Sequence, residues 1–255
     1  SRKWLKPFFG DIYANFKIIS AQDEKTAQNI SKLIKPHLKK RVRVDGSLKP
    51  AAPRLKSKQS IPPQIISVTE GKKILTLVSS HQEDEKFVIQ SLQKISKKIR
   101  PILVIIPRHI ERAETIRNQC IKADLKCTIL SEFRETARRS DVYIANQIGA
   151  PAIWLPFTHL AVIGGTYCDI NGHNPWEPIQ FGAAVLHGSK TANFSEDFKE
   201  LLVSGSSTEV LERDDLVRMI TQTNFDKQVR NARSLIQKKI KAVKDLSNDI
   251  LLLLN

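Results

Sequence analysis

No stretch of this chain approaches the roughly 18 consecutive apolar residues that a membrane-spanning helix needs. Nor does it open on a charged segment followed by a secretory apolar core. Its cysteines number three, Cys120, Cys127 and Cys168, with no CxxC pair and no metal-ligand spacing. That excludes a disulfide framework and a zinc ribbon, and reads as reduced thiols of a cytosolic compartment. Aromatic residues make up only 6% of the 255, so the core must come from Ile, Leu, Val and Ala. Acids are in short supply, and the net charge is +15. A surplus of that size favours an anionic partner: nucleic acid, a membrane rich in acidic lipid, or a phosphorylated ligand. No RNP-like, helix-turn-helix or zinc motif accompanies the charge, and the cations are spread over helices and linker, which argues against nucleic acid. No repeat is visible.

What is present is a regular alternation. AQDEKTAQNISKLIKP (21–36) has apolar residues at helical spacing and predicts a helix, and RVRVDG (41–46) a short strand. The Pro- and Lys-rich SLKPAAPRLKSKQSIPP (47–63) that follows predicts a linker. From there strands at 73–80, 101–107, 125–130, 141–146, 159–165 and 183–187 alternate with helices at 84–99, 109–123 and 174–182, with a short helical stretch between 130 and 141. Continuous apolar strands between amphipathic helices predict an α/β fold with a doubly wound parallel sheet, covered on both faces. Helices are expected at 198–205 and 211–222, and one long, cation-rich amphipathic helix over 224–254.

In such sheets ligands bind outside the carboxyl ends of the strands. The loops there are HQEDE (81–85), Arg108-His109, Gln147-Ile148-Gly149-Ala150, GGTYCDINGHNPWEP (164–178) and GSKTANF (188–194). The acids of HQEDE read first as a dipole-complementing helix start and only then as metal ligands. Arg108, directly after a strand, can grip a phosphate or carboxylate with two parallel hydrogen bonds. Asn174 suits an N-cap and Pro175 the first helical position. Glu177, in the same turn, can accept from ribose hydroxyls. By itself this segment is either a well-capped helix or an anion-binding turn, and His173 taken alone reads as structural.

In order and spacing, SR (1–2), ISAQDEKTAQ (19–28), VDGSLKP (44–50), SSHQEDE (79–85), VIIPRHIER (104–112), IGGTYCDINGHNPWEP (163–178) and NFSEDF (193–198) resemble the Kdo (3-deoxy-D-manno-octulosonic acid) transferases of lipopolysaccharide biosynthesis. The resemblance implies a GT-B fold with a Rossmann-like donor domain. It implies transfer of Kdo from CMP-Kdo to a lipid A precursor (lipid IVA) at the cytoplasmic face of the bacterial inner membrane. It further implies an anionic membrane surface as partner and no metal, cofactor or nucleic acid. Carried over, Pro107 and Arg108 contact CMP, and Ile148, Gly149 and Ala150 form the nucleotide loop. Asn174, Pro175, Trp176 and Glu177 hold nucleotide and ribose, and Lys49 stabilises transition-state charge. Ala150 stands where the family's loop carries an acid. The implied organisation is the end of an N-terminal acceptor domain (1–50), a linker (51–63), a nucleotide-sugar domain (64–223) and a helix (224–255) packing back toward the first domain. The chain opens without Met and reads as starting part-way through that first domain. No residue matches the family's general base, so the chain alone is expected to bind nucleotide and catalyse poorly. Another GT-B transferase, a sugar-nucleotide epimerase, or a non-catalytic relative binding only nucleotide or membrane are the alternatives.

Overall fold

The computed structural model describes residues 6–52, 70–132 and 140–252. The chain divides into two compact units, Ser1–Ala52 with Leu235–Asn255, and Pro53–Ser234. The linker expected at 51–63 lies, from Pro53 on, outside the described residues.

The first unit contains α1 (Lys6–Ala14), which the sequence pattern did not predict, then β1 (Ile19–Ala21), α2 (Glu24–Ser31) and β2 (Val42–Val44). β1 and β2 pair in parallel, Ile19 opposite Val42 and Ala21 opposite Val44. The helix expected over 21–36 is shorter because its ends are fixed locally. Ala21 belongs to the ladder, and the Asp23 carboxylate caps the helix by accepting from the Thr26 amide at 2.6 Å. Pro36 opens a separate 3₁₀ turn, Pro36–Arg41. Arg43 bridges Asp45 (2.7 Å) and Asp249 (2.6 Å), which ties the last helix to this small sheet.

The second unit follows the predicted alternation. β3 (Ile74–Ser80), α3 (Gln82–Gln93), β4 (Ile102–Pro107), α4 (Ala113–Lys122), β5 (Cys127–Ile129), β6 (Val142–Ile144), α5 (Ala150–Trp154), β7 (Leu160–Ile163), α6 (Trp176–Gln180), β8 (Ala184–His187), α7 (Ser195–Val203), β9 (Thr208–Glu209) and α8 (Arg213–Gln222) lead into α9 (Asp226–Leu251). The strands form a seven-stranded sheet in the order β5-β6-β4-β3-β7-β8-β9, every pair parallel. Side chains alternate across it. Leu75, Leu77, Leu103, Ile105, Val142 and Ile144 pack on one face. Ile74, Val104, Ile106 and Tyr143 pack on the other. Both faces are covered, which is why the strands read as unbroken apolar runs.

In this unit two elements escaped the pattern: α5, in a segment read as loop, and β9, whose two residues are too short for a periodic signal. α3 ends at Gln93 instead of 99, because the Arg100 guanidinium turns back onto the Ile95 carbonyl (2.8 and 3.0 Å). The helix expected at 109–123 begins as a 3₁₀ turn, Ile110–Arg112. The stretch expected to be helical between 130 and 141 is a 3₁₀ turn at Leu130–Glu132, and 133–139 lie outside the described residues. The three cysteines are free thiols. Among the described residues no helix is long and apolar enough to cross a membrane.

Candidate functional site

Chain order reverses between β3 and β7: the strands from β3 to β6 lie on one side, β7 to β9 on the other. The crevice outside the carboxyl ends of that central pair is where an open α/β sheet binds its ligand. Two backbones meet there at the closest range. Gly164, after β7, lies so near β3 that a Cβ would stand 2.2 Å from the Ser79 carbonyl oxygen. Ser79 itself holds φ 56° beside a register shift in the β3–β4 ladder. Strain of this kind in a non-glycine residue gathers at functional sites.

Two of the three acids of HQEDE, Asp84 and Glu85, are braces, and Glu83 is exposed. Asp84 is buried and accepts from the amides of His81 (2.9 Å), Gly165 (2.7 Å) and Tyr167 (3.1 Å), joining the start of α3 to the loop after β7. Burial raises its pKa, and those three amide bonds pull it back down. Glu85, fully buried, takes a two-pronged contact from Arg112 (2.6 and 3.2 Å) and the Ser80 hydroxyl (3.1 Å). Neither acid is presented to the crevice, and the metal reading of this segment has no support in the geometry.

Around these braces basic side chains collect. Pro107 ends β4 and is buried; Arg108 is exposed, its amide bonded to the Ser80 carbonyl at 3.1 Å. His81 and His173 meet Nε2 to Nε2 at 2.8 Å, with rings stacked at 5.1 Å between centroids. His109 stands edge-on to His81 at 5.9 Å. Burial holds His173 down to about 4, and His81, Arg108 and His109 push the same way. His81 is lowered by burial first, then by His109, Arg112 and Arg108. The Arg108 guanidinium and the N–H groups of the imidazoles suit a phosphate or carboxylate, and the exposed Glu111, 3.5 Å from His109 Nδ1, is the acid beside them. The spacing arguments missed His81 and His109 and set His173 aside as structural, although each follows a strand end on one sheet edge.

The start of α6 is built as expected, with the boundary one residue later. Asn174 Oδ1 accepts from the Trp176 amide (3.1 Å), and its Nδ2 donates to Glu177 (3.2 Å). Pro175 has helical angles, φ −81°, so the shift is within the ordinary ambiguity of helix ends. Glu177 is half-buried, and burial raises its pKa. The Trp176 indole is fully buried and donates to Asp197 at 2.8 Å, so it anchors the helix and presents no ring to a ligand. Similarly, Ala150 is buried against Trp154 and Tyr143, while Ile148, 90% exposed, and Gly149, at φ 84°, form the open part of that loop. Lys49 is exposed and lies in a 3₁₀ turn (Lys49–Ala51) of the first unit, whereas the other candidates belong to the second.

The depressed histidines make the fold pH-sensitive in a definite direction. They stay neutral when folded at pH values where the unfolded chain already takes up protons, near 6.5. Their contribution is therefore complete above 6.5 and is lost as pH falls below it, for His173 down toward about 4. Discounted for partial exposure, His173 alone should remove about 1–2 kcal/mol by the acid end of that window. Urea midpoints at neutral and mildly acid pH should show this, and His173→Gln should flatten the dependence.

Sheet order, crossover point and helix placement define a Rossmann-like half of a GT-B fold. It superposes on the C-terminal CMP-Kdo binding domain of WaaA from Acinetobacter baumannii with TM-score 0.63, at 19% identity, over 69% of this chain and 95% of that one. Anabaena Alr3699/HepE, solved with UDP and glucose, matches at TM-score 0.56 and 11% identity, over 97% of this chain and 66% of that one. No family model matches the sequence. The chain resembles 3-deoxy-D-manno-octulosonic acid transferases along most of its length. It is 25% identical over 224 residues to that of Rickettsia bellii, covering 86% of this chain and 52% of the relative. Against the Haemophilus influenzae transferase it is 24% identical over 220 residues, 82% of this chain and 50% of the relative. The chain thus spans about half the length of the curated relatives it matches.

Proposed function

We propose that this chain is the donor-binding part of a Kdo transferase, holding CMP-Kdo for transfer to a lipid A precursor at the cytoplasmic face of the inner membrane. One observation carries the reading: Arg108, the histidine cluster and the capped Asn174–Glu177 turn occupy one carboxyl edge of the sheet at its crossover point. CMP-Kdo brings a phosphate and a sugar carboxylate, and this edge offers the Arg108 guanidinium and imidazole N–H donors. Arg108 would take the phosphate. Glu177, with one oxygen steadied by Asn174, would accept from ribose hydroxyls, and Ile148 and Gly149 would border the base. As CMP departs, charge develops on its phosphate, and fixed donors aimed there lower the barrier. Lys49 adds to that stabilisation in this reading, on the strength of the resemblance. The net charge of +15 suits an anionic membrane surface.

Isothermal titration with CMP, UDP and CMP-Kdo tests the proposal. Cytidine ligands should bind preferentially; a clear preference for UDP would place the chain with other nucleotide-sugar transferases. Arg108→Ala should weaken CMP binding by about 1.5–3 kcal/mol, the worth of a hydrogen bond to a charged group. An unchanged titration would remove Arg108 from the site.

A further inference from the structure

The amino edge of the same sheet, away from the donor crevice, holds a cavity of about 850 Å³. That volume lies within the range of small-molecule sites. Its walls are the starts of β3 and β7, the turn between α8 and α9, and the first turns of α9. Lys73, Arg230 and Arg233 line it, the two arginines three residues apart and hence on one helix face. None of these cations has an ion-pair partner among the described residues. Asp226 is the one acid in the lining, and it is engaged locally: its carboxylate accepts from Asn224 Nδ2 (3.2 Å) and its amide donates to Asn224 Oδ1 (2.7 Å).

His159 adds a fixed donor. Its Nδ1 accepts from the Ile74 amide at 3.2 Å, which places the proton of the neutral ring on Nε2. The ring is exposed and lines the cavity. Phe225, Ile220 and Val229 supply an apolar wall beside these donors. A fixed imidazole N–H, guanidinium groups without an ion-pair partner and apolar surface in one concavity are the features of a site for an anionic small molecule.

We propose that this cavity is a second binding site, for a small molecule carrying two or more phosphate or carboxylate groups, separate from the donor crevice. The inference does not depend on the nature of the donor. Inorganic pyrophosphate is the probe, titrated calorimetrically into the whole chain, with the Arg108→Ala variant run in parallel to remove binding at the other edge. Pyrophosphate should bind both proteins. Arg230→Ser/Arg233→Ser should weaken it at least about ten-fold, as loss of charge-assisted contacts predicts, and leave any CMP binding unchanged. Both arginines are exposed, so the unfolding midpoint of this variant should match the parent. Lys73→Ser gives an independent check and should weaken pyrophosphate in the same direction. No pyrophosphate binding at millimolar concentration, unaltered affinity in the double variant, or binding abolished by Arg108→Ala alone would each overturn the proposal.

Discussion

Replacing Arg112 by Met should destabilise the second unit by about 3–5 kcal/mol, the cost of stranding a buried charge. Glu85 has no exposure of its side chain, and Arg112 supplies two of the hydrogen bonds that satisfy it, at 2.6 and 3.2 Å. The Ser80 hydroxyl supplies another at 3.1 Å, but it carries no charge to offset the carboxylate. In water the attraction between the two ions would count for little. Here the carboxylate cannot regain water without opening the junction of β3, α3 and the 3₁₀ turn before α4. Equilibrium urea unfolding would measure the loss. The double variant Arg112→Met/Glu85→Gln should recover most of it, because the buried charge is gone. A single-variant loss below about 1 kcal/mol would mean that Glu85 is solvated on the folded chain's own timescale, as a surface pair is. Because Ser80 precedes His81, the single variant should also weaken ligand binding at the crevice.

Gly164→Ala should be as damaging by a different route. A Cβ there would lie 2.2 Å from the Ser79 oxygen, 2.6 Å from its carbonyl carbon and 2.8 Å from the Val78 oxygen. All three are backbone atoms, so no rotamer change can relieve the contact, and β3 must move against β7. Overpacking of this severity costs about 3 kcal/mol or more. Gly149→Ala separates the steric effect from the conformational one. Its φ is 84°, yet nothing lies within 4 Å of the added methyl. That variant should lose only the left-handed backbone penalty, about 1–2 kcal/mol. Thermal or urea unfolding of both variants provides the comparison. If Gly164→Ala costs no more than Gly149→Ala, the close approach of the two strands is not a constraint. Since Gly165 donates to Asp84, the Gly164 variant should lose ligand binding at the crevice along with stability.

Much of this was legible residue by residue. The unbroken apolar runs from Ile74 to Pro107 announced strands buried on both faces, and therefore a parallel sheet under helices. Asn174 was readable as a cap because capping depends only on the next few residues. Arg108 was readable as a candidate because it directly follows a strand. The resemblance carried by VIIPRHIER and IGGTYCDINGHNPWEP likewise rests on contiguous residues. Short elements were not readable: β9 pairs through two residues, and α5 starts from a left-handed Gly149 with no side-chain cap.

The sequence by itself determined the class of fold, the positions of most strands and helices, and which loops would reach the ligand edge. Only the tertiary structure decided what those loops do. It turned Asp84 and Glu85 inward as braces, buried the Trp176 indole on Asp197, and sank Ala150 into the core. It also brought His81 against His173, 92 positions apart in the chain. The physical reason is one of range. Strand alternation and helix capping are settled within a few residues, whereas the histidine pair exists because the crossover seats β3 beside β7. Local sequence fixes where a loop begins, and the sheet order fixes which loop it faces.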